Sequence, residues 1–285
     1  MSARTRRELL DDGVRRLAAA GVESPRRNAE WILCDVLSVS RASLYADISS
    51  PVGGEQAQRF ERMLRRRMAR EPLQYVLGHT DFVGLRLRVT PDVLIPRPET
   101  EELVEVALQL LHDATSPCVL DVGTGSGCIA LAIKSVRPDA AVYGCDVSEE
   151  ALEVARGNAA ALEIEVEFMK VDVLRDSIPA CVPRSIDLLI SNPPYVTEEE
   201  EAELSEEVRR FEPHVALFAG NEPLVFYRRI AAHGRHLVRD GGWVVLETHA
   251  DYGREVSNLF EKAGYRDVEC QQDLAGRDRI VRARR

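Results

Sequence analysis

The sequence predicts an α/β protein: a mostly parallel seven-stranded sheet covered by helices, with an antiparallel C-terminal pair, preceded by a small all-α helical bundle and a β-hairpin linker. Three observations predict it. Residues 1–76 show helical apolar spacing and no strand signal. From Pro117 onward, short apolar runs alternate with stretches of helical length. The last two runs are joined only by the polar link Gln271 to Gly276. Alternating strand and helix patterns give parallel, helix-covered sheets, whereas two strands on a short polar link pair antiparallel.

Leu10, Val14 and Leu17 share one face of a first helix, which Gly21 ends. Ser24-Pro25 reads as an N-cap and first-turn proline opening a second helix with Trp31, Ile32, Val36 and Leu37 at apolar positions. Ser40 starts a short third helix through Leu44. After Gly53-Gly54 comes an Arg-rich helix over 55–69, whose Arg59, Arg62, Arg65, Arg66 and Arg67 read as a solvated face. Pro72 to Leu77 reads as one last short helix. In the linker, 77–98, Phe82-Val83 and the alternation of Leu85, Leu87 and Val89 with Arg86 and Arg88 predict a hairpin turned at Gly84. Ile95-Pro96-Arg97-Pro98 is then a stiff, extended connector, because each proline removes an N–H and restricts its predecessor. Thr100 reads as the cap of a helix holding Leu103, Val104 and Leu108. Strands are expected at 118–122, 141–145, 165–171, 186–191, 242–247, 265–270 and 277–283, and helices at 126–136, 149–162, 222–237 and 253–263. This organisation divides the chain into domains at 1–76 and 77–285.

With 45% hydrophobic and 29% charged residues, the 285-residue chain has material for a core without staples. It has no apolar run of bilayer-crossing length and no signal-peptide core, so a cytoplasmic protein is expected. Cys34, Cys118, Cys128, Cys145, Cys181 and Cys270 form no C-x-x-C and have no histidine at ligand spacing; they read as small thiols in a reducing compartment, with neither metal nor disulfide. The net charge of −10 is uneven: residues 1–78 hold 14 Arg, no Lys and 10 acids, a net +4, which leaves −14 on the remainder. An acidic body argues against phosphate-backbone binding, so no direct nucleic-acid substrate is expected.

The strongest local signal is Asp121-Val122-Gly123-Thr124-Gly125-Ser126-Gly127, between the first parallel strand and its helix. Ligands of such sheets bind at the carboxyl ends of the strands, and glycines let a ligand lie against bare backbone. Asp146, ending the next strand, is placed to accept from a ribose diol. A nicotinamide dinucleotide wants G-x-G-x-x-G for its pyrophosphate, but the third position here is Cys128. Asp121, two residues before the first glycine, repels pyrophosphate and suits a cationic sulfonium and an α-amino group. S-adenosyl-L-methionine therefore fits this pattern better. Asp172, ending the third strand, reads as an acceptor for the adenine amine or as a turn cap, with Val173 against the ring.

Asn192-Pro193-Pro194-Tyr195 follows the fourth strand. Two prolines fix the backbone and leave carbonyls free, and the Asn192 side-chain oxygen also accepts. Asn192 with the Pro193 carbonyl can hold both hydrogens of a planar –NH₂, with Tyr195 stacked on it. Amide and aromatic amine nitrogens are poor nucleophiles, and such a site gains rate by positioning and matched dipoles, without a metal or a nucleophilic side chain. Glu198–Glu201, Glu203 and Glu206-Glu207 read as a solvated face; Glu212 and Glu247 border the pocket or serve ordinary capping roles.

Leu94-Ile95-Pro96-Arg97-Pro98-Glu99-Thr100, Asp121 to Gly127, Asp146 and Asn192-Pro193-Pro194-Tyr195, in this order, resemble the HemK/PrmC family of protein-glutamine methyltransferases, over nearly the whole chain. The resemblance implies a Rossmann-like S-adenosylmethionine-dependent methyltransferase domain that methylates the side-chain amide nitrogen of the Gly-Gly-Gln glutamine in class-I peptide chain release factors, a step serving translation termination. It implies that Gly123 to Gly127, Asp146 and Val173 hold the cofactor, that Asn192 to Tyr195 hold the glutamine amide, that Leu94 lines the glutamine pocket, and that the N-terminal helices dock on the release factor. The alternative is an amide or amine N-methyltransferase acting on a ribosomal-protein glutamine or a nucleic-acid base.

Overall fold

A computed structural model describes residues 4–273 and 275–285. The chain forms two compact units. One ends at His79 and also takes in Ser205–Phe211; the other comprises Thr80–Leu204 and Glu212–Arg285. No sequence signal tied the 205–211 segment to the front of the chain.

The first unit is helical: α1 (Arg6–Ala19), α2 (Pro25–Leu37), α3 (Arg41–Ala46), α4 (Gly54–Met68) and α5 (Leu73–Leu77). Their apolar faces meet in one cluster that includes Leu10, Leu17, Ile32, Leu33, Leu44, Phe60 and Leu64. Thr5 and Glu8 form a reciprocal capping box at the start of α1. Three readings are corrected here. Ser24 precedes α2 but has left-handed backbone and makes no side-chain cap. Trp31 lies 41% exposed, off the packed face that carries Ile32 and Leu33, with the Arg27 guanidinium over its ring. Arg67 is not on a solvated face: it is 4% exposed, and its guanidinium donates to Asn28 Oδ1 (2.8 Å), the Glu71 carbonyl (2.9 Å) and Glu207 (2.8 Å). A buried guanidinium needs its donors satisfied, and Glu207, read as solvated, supplies the countercharge.

The second unit begins with β1 (His79–Phe82) and β2 (Leu85–Arg88), a two-stranded sheet, followed by α6 (Pro98–Leu110). The large sheet takes β3 (Cys118–Val122), β4 (Ala141–Asp146), β5 (Glu167–Lys170), β6 (Ile186–Ser191), then β9 (Val238–Glu247), β10 (Arg266–Gln272) and β11 (Asp278–Arg284). The short β7 (Val196–Thr197) and β8 (Phe218–Gly220) pair separately. Its order is β10-β11-β9-β6-β3-β4-β5, parallel except for β11, which runs antiparallel to both β9 and β10. This is the expected fold class. Strand side chains alternate between two cores, as a period of two requires. Val119, Leu188, Ile190 and Val245 face α6, α7 (Cys128–Val136) and α8 (Glu149–Leu162). Leu120, Leu189, Val244 and Leu246 face α11 (Val225–Leu237) and α12 (Gly253–Lys262). The short α10 (His214–Leu217) belongs to this unit, whereas α9 (Glu206–Phe211) belongs to the first.

The expected cap at Thr100 is also corrected. α6 begins at Pro98, and Thr100 lies inside it, 2% exposed, with its hydroxyl turned to Glu247.

Candidate active site

Val122, Cys145 and Ser191 are level neighbours at the carboxyl ends of β3, β4 and β6. All three line a cavity of about 230 Å³. The loop after β3 forms one wall. Gly123, Gly125 and Gly127 all have positive φ (74°, 54° and 81°), a conformation that side chains with a Cβ resist. Gly127 is further constrained: a Cβ there would meet Ala155, Leu131 and Phe168 at 3.2 Å. The Gly123 and Thr124 amides both donate to the Cys145 carbonyl (2.8 and 3.0 Å), which fixes the loop over β4.

Asp146 closes the second side. Its carboxylate accepts from the Gly125 amide (2.9 Å) and the Ser148 amide (3.0 Å), while burial pushes its pKa up. Asp121 lies beneath the loop, fully buried, and accepts from the Thr124 hydroxyl (2.6 Å). Its other oxygen, Oδ1, has no partner among the described residues, and burial lifts the carboxyl to about 7. Asn158, which sequence reasoning passed over, ties the loop to the linker. Its amide donates to the Ser126 carbonyl (2.9 Å) and the Arg88 carbonyl (3.1 Å), and its oxygen accepts from the Arg88 amide (2.8 Å).

Of the expected site residues, Leu94, Gly123, Gly125, Asp146, Asp172, Val173, Asn192, Pro193 and Pro194 line the cavity; Asp121, Thr124, Ser126, Gly127 and Tyr195 do not. The first four of those build the loop from behind. The Tyr195 ring instead packs near His249, with ring centroids 5.7 Å apart, and its burial pushes the phenol up to about 12. Asp172 lines the cavity and also caps a turn, its Oδ1 accepting from the Leu174 amide (3.0 Å). Val147, Phe226 and Ile230 add apolar walls that no motif announced.

Asn192 Nδ2 donates to Thr100 Oγ1 (3.2 Å), and Thr100 Oγ1 donates to Glu247 Oε2 (2.7 Å). Glu247 is 1% exposed, and burial lifts it to about 7. Glu212 is buried too. It grips the connector that carries Leu94, accepting from the Ile95 amide (3.2 Å) and the Arg97 guanidinium (2.5 Å).

Known proteins resemble this chain in both parts. Residues 8–78 match the model of the PrmC N-terminal domain, and residues 102–210 match that of the methyltransferase small domain. A release factor glutamine methyltransferase of Bacteroides thetaiotaomicron is 42% identical over 255 residues, covering 89% of this chain and 90% of that one. One of Cereibacter sphaeroides is 42% identical over 277 residues, 97% of each chain. The chain belongs to the release factor glutamine methyltransferase family. Membership makes it an S-adenosylmethionine-dependent methyltransferase. Among solved structures, the hMettl16 catalytic domain in complex with a MAT2A 3'UTR hairpin matches at TM-score 0.55 and 16% identity, over 81% of each chain, and shares the fold. Among the described residues, no helix is long and apolar enough to cross a membrane.

Proposed function

We propose that this chain methylates the side-chain amide nitrogen of the glutamine in the Gly-Gly-Gln motif of class-I peptide chain release factors. The single observation that carries the reading is Asn192 beside Pro193 at the cavity wall, in a chain 42% identical over 97% of its length to a release factor glutamine methyltransferase.

The residues present fit S-adenosyl-L-methionine. Asp121 Oδ1 is a buried, unpartnered acceptor below the loop, Asp146 is an acid at the cavity wall, and Gly123 and Gly125 offer bare backbone. Gly123 to Gly127 and Asp146 would hold the cofactor, with Asp121 behind the loop and Val173 and Asp172 at the adenine end. When bound, that cofactor supplies an electrophilic methyl group on a sulfonium.

The chain's own residues do the rest. The Asn192 oxygen and the Pro193 carbonyl accept the two N–H groups of a primary amide, which orients its nitrogen. Prolines at 193 and 194 keep those acceptors in place without competing donors. Leu94 and Pro194 exclude water around the glutamine stem. Tyr195, its ring near His249, anchors the far end of the segment. The helical first unit docks on the release factor.

The test is methyl transfer from labelled S-adenosylmethionine to purified release factor, with a factor carrying Ala for the motif glutamine as control. Label on the native factor alone is expected; equal label on both, or on neither, refutes the acceptor. Asn192→Ala should cut kcat far more than it weakens S-adenosylhomocysteine binding, and an equal loss of both would remove Asn192 from the acceptor role.

A further inference from the structure

The amide of Asn192 has two chemically opposite ends, and only one of them suits a substrate –NH₂. We propose that Thr100 and Glu247 are positioning residues that fix which end faces the cavity, through a hydrogen-bond chain that runs in one direction only. This rests on the glutamine-amide reading above and deepens it: the chain makes the site select a ligand that donates two hydrogens.

The geometry sets the direction. A hydroxyl carries one hydrogen, and an ionised carboxylate only accepts. Thr100 Oγ1 stands 2.7 Å from Glu247 Oε2, so its hydrogen is committed there. The same oxygen stands 3.2 Å from the Asn192 amide and can only accept from it. Nδ2 of Asn192 is thereby turned to Thr100, and Oδ1 is the end left to the cavity that Asn192 lines. Thr100 and Glu247 are both buried, so water cannot scramble the order. A protonated Glu247 removes the constraint. It can donate to Thr100, which then donates to Asn192 Oδ1, and the flipped amide meets a substrate –NH₂ donor to donor.

Several groups face Glu247. Arg279 on β11 and Arg97 before α6 favour its ionised form, and Glu99 on α6 opposes it. Tyr195 and Cys128 also lie within electrostatic reach, and Tyr227 on α11 donates to its backbone carbonyl (3.2 Å). Its carboxyl lies near 7, so the chain changes polarity in the neutral range.

The experiment uses the full chain with Thr100→Val, Thr100→Ser and Glu247→Gln, release factor as acceptor, and S-adenosylhomocysteine calorimetry and melting as controls. Thr100→Val should lower kcat by about 10- to 100-fold with cofactor-product affinity unchanged, and Thr100→Ser should restore most of it. Wild-type kcat should fall on the acid side of about 7, and Glu247→Gln, which lacks a fixed polarity, should be slower and lose that limb. Wild-type kcat in Thr100→Val, or losses in proportion to melting temperature that Thr100→Ser does not rescue, overturn the proposal. If Thr100→Val does not fold, an acid limb unchanged in Glu247→Gln overturns it. A wild-type chain that leaves release factor unlabelled sinks the parent reading and this one with it; a labelled factor and an insensitive Thr100→Val sink this one alone.

Discussion

Asp121 carries a cost that a single substitution exposes. Its carboxyl is fully buried and lifted from 3.8 to about 7, first by desolvation and, among the smaller effects, by the nearby Asp146 charge. A raised carboxyl holds its proton more tightly in the folded chain than in the unfolded one. Its contribution is therefore most favourable below the unfolded pKa near 4 and is lost as pH rises through about 7. At about 1.4 kcal/mol per pH unit, the burden is about 2 kcal/mol at pH 5 and about 4 kcal/mol at pH 8. Asp121→Asn keeps the shape and the acceptor for Thr124 but removes the titration. At any single pH the comparison also contains the cost of an unpaired amide hydrogen, whereas the change with pH does not. Urea unfolding of both chains without ligand should therefore show the variant gaining on the wild type by roughly 2–3 kcal/mol between pH 5 and pH 8. A variant stability minus wild-type stability that stays constant, or that falls as pH rises, would refute the buried-charge account of this acid.

Other substitutions probe the remaining supports. Asp146→Ala should weaken S-adenosylhomocysteine binding by about 10- to 100-fold in calorimetry, the loss of charge-assisted hydrogen bonding; unchanged affinity removes Asp146 from the cofactor site. Asn158→Ala strips the tie between the Arg88 backbone and the glycine loop and should cost about 2–3 kcal/mol in urea melts, with weaker cofactor-product binding; a melt that does not move leaves the loop independent of that tie. Arg67→Met should cost about 3 kcal/mol by taking the donor from buried Asn28 Oδ1 and the Glu71 carbonyl and leaving Glu207 with Arg70 alone, and Glu207→Gln should cost less, because Arg67 keeps Asn28 and the Glu71 carbonyl; the reverse order would place the stability in Glu207 instead.

The sheet and the glycine loop were legible because their signals are local. β3 and β6 fall on the expected residues because each holds a run of three apolar residues, Cys118 to Leu120 and Leu188 to Ile190, too short for a helical period to compete. α8 begins at Glu149 because Ser148 caps it, a signal three residues long. What escaped depends on residues far apart in sequence. Arg67 meets Glu207 across 140 positions, and Thr100 meets Glu247 across 147. An arginine in an Arg-rich helix and a threonine beside Pro-Glu both carry strong local readings, solvated face and cap. Only tertiary packing shows that one is buried on a carboxylate and the other is a hydroxyl linking two side chains. Tyr195 shows the converse: its place directly after Pro194 suggested an aromatic wall for the substrate, yet its ring lies near that of His249 and outside the cavity lining.

Three acids, the buried Asp121 and Glu247 and the half-buried Asp146, stand at or next to the carboxyl ends of parallel strands, β3, β9 and β4. All three are pushed up by burial, so the fold gives up stability to hold them there. Hydrophobic residues of the same size would pack that end of the sheet more cheaply. Two of the three sit with the loop that fits a cationic ligand, and a negative, water-poor wall is what favours such a ligand over a phosphate. The third is linked to the cavity only through Thr100 and Asn192. Its cost is intelligible if what matters is the orientation of the Asn192 amide, because a neutral partner of the same shape leaves the hydroxyl of Thr100 free to point either way.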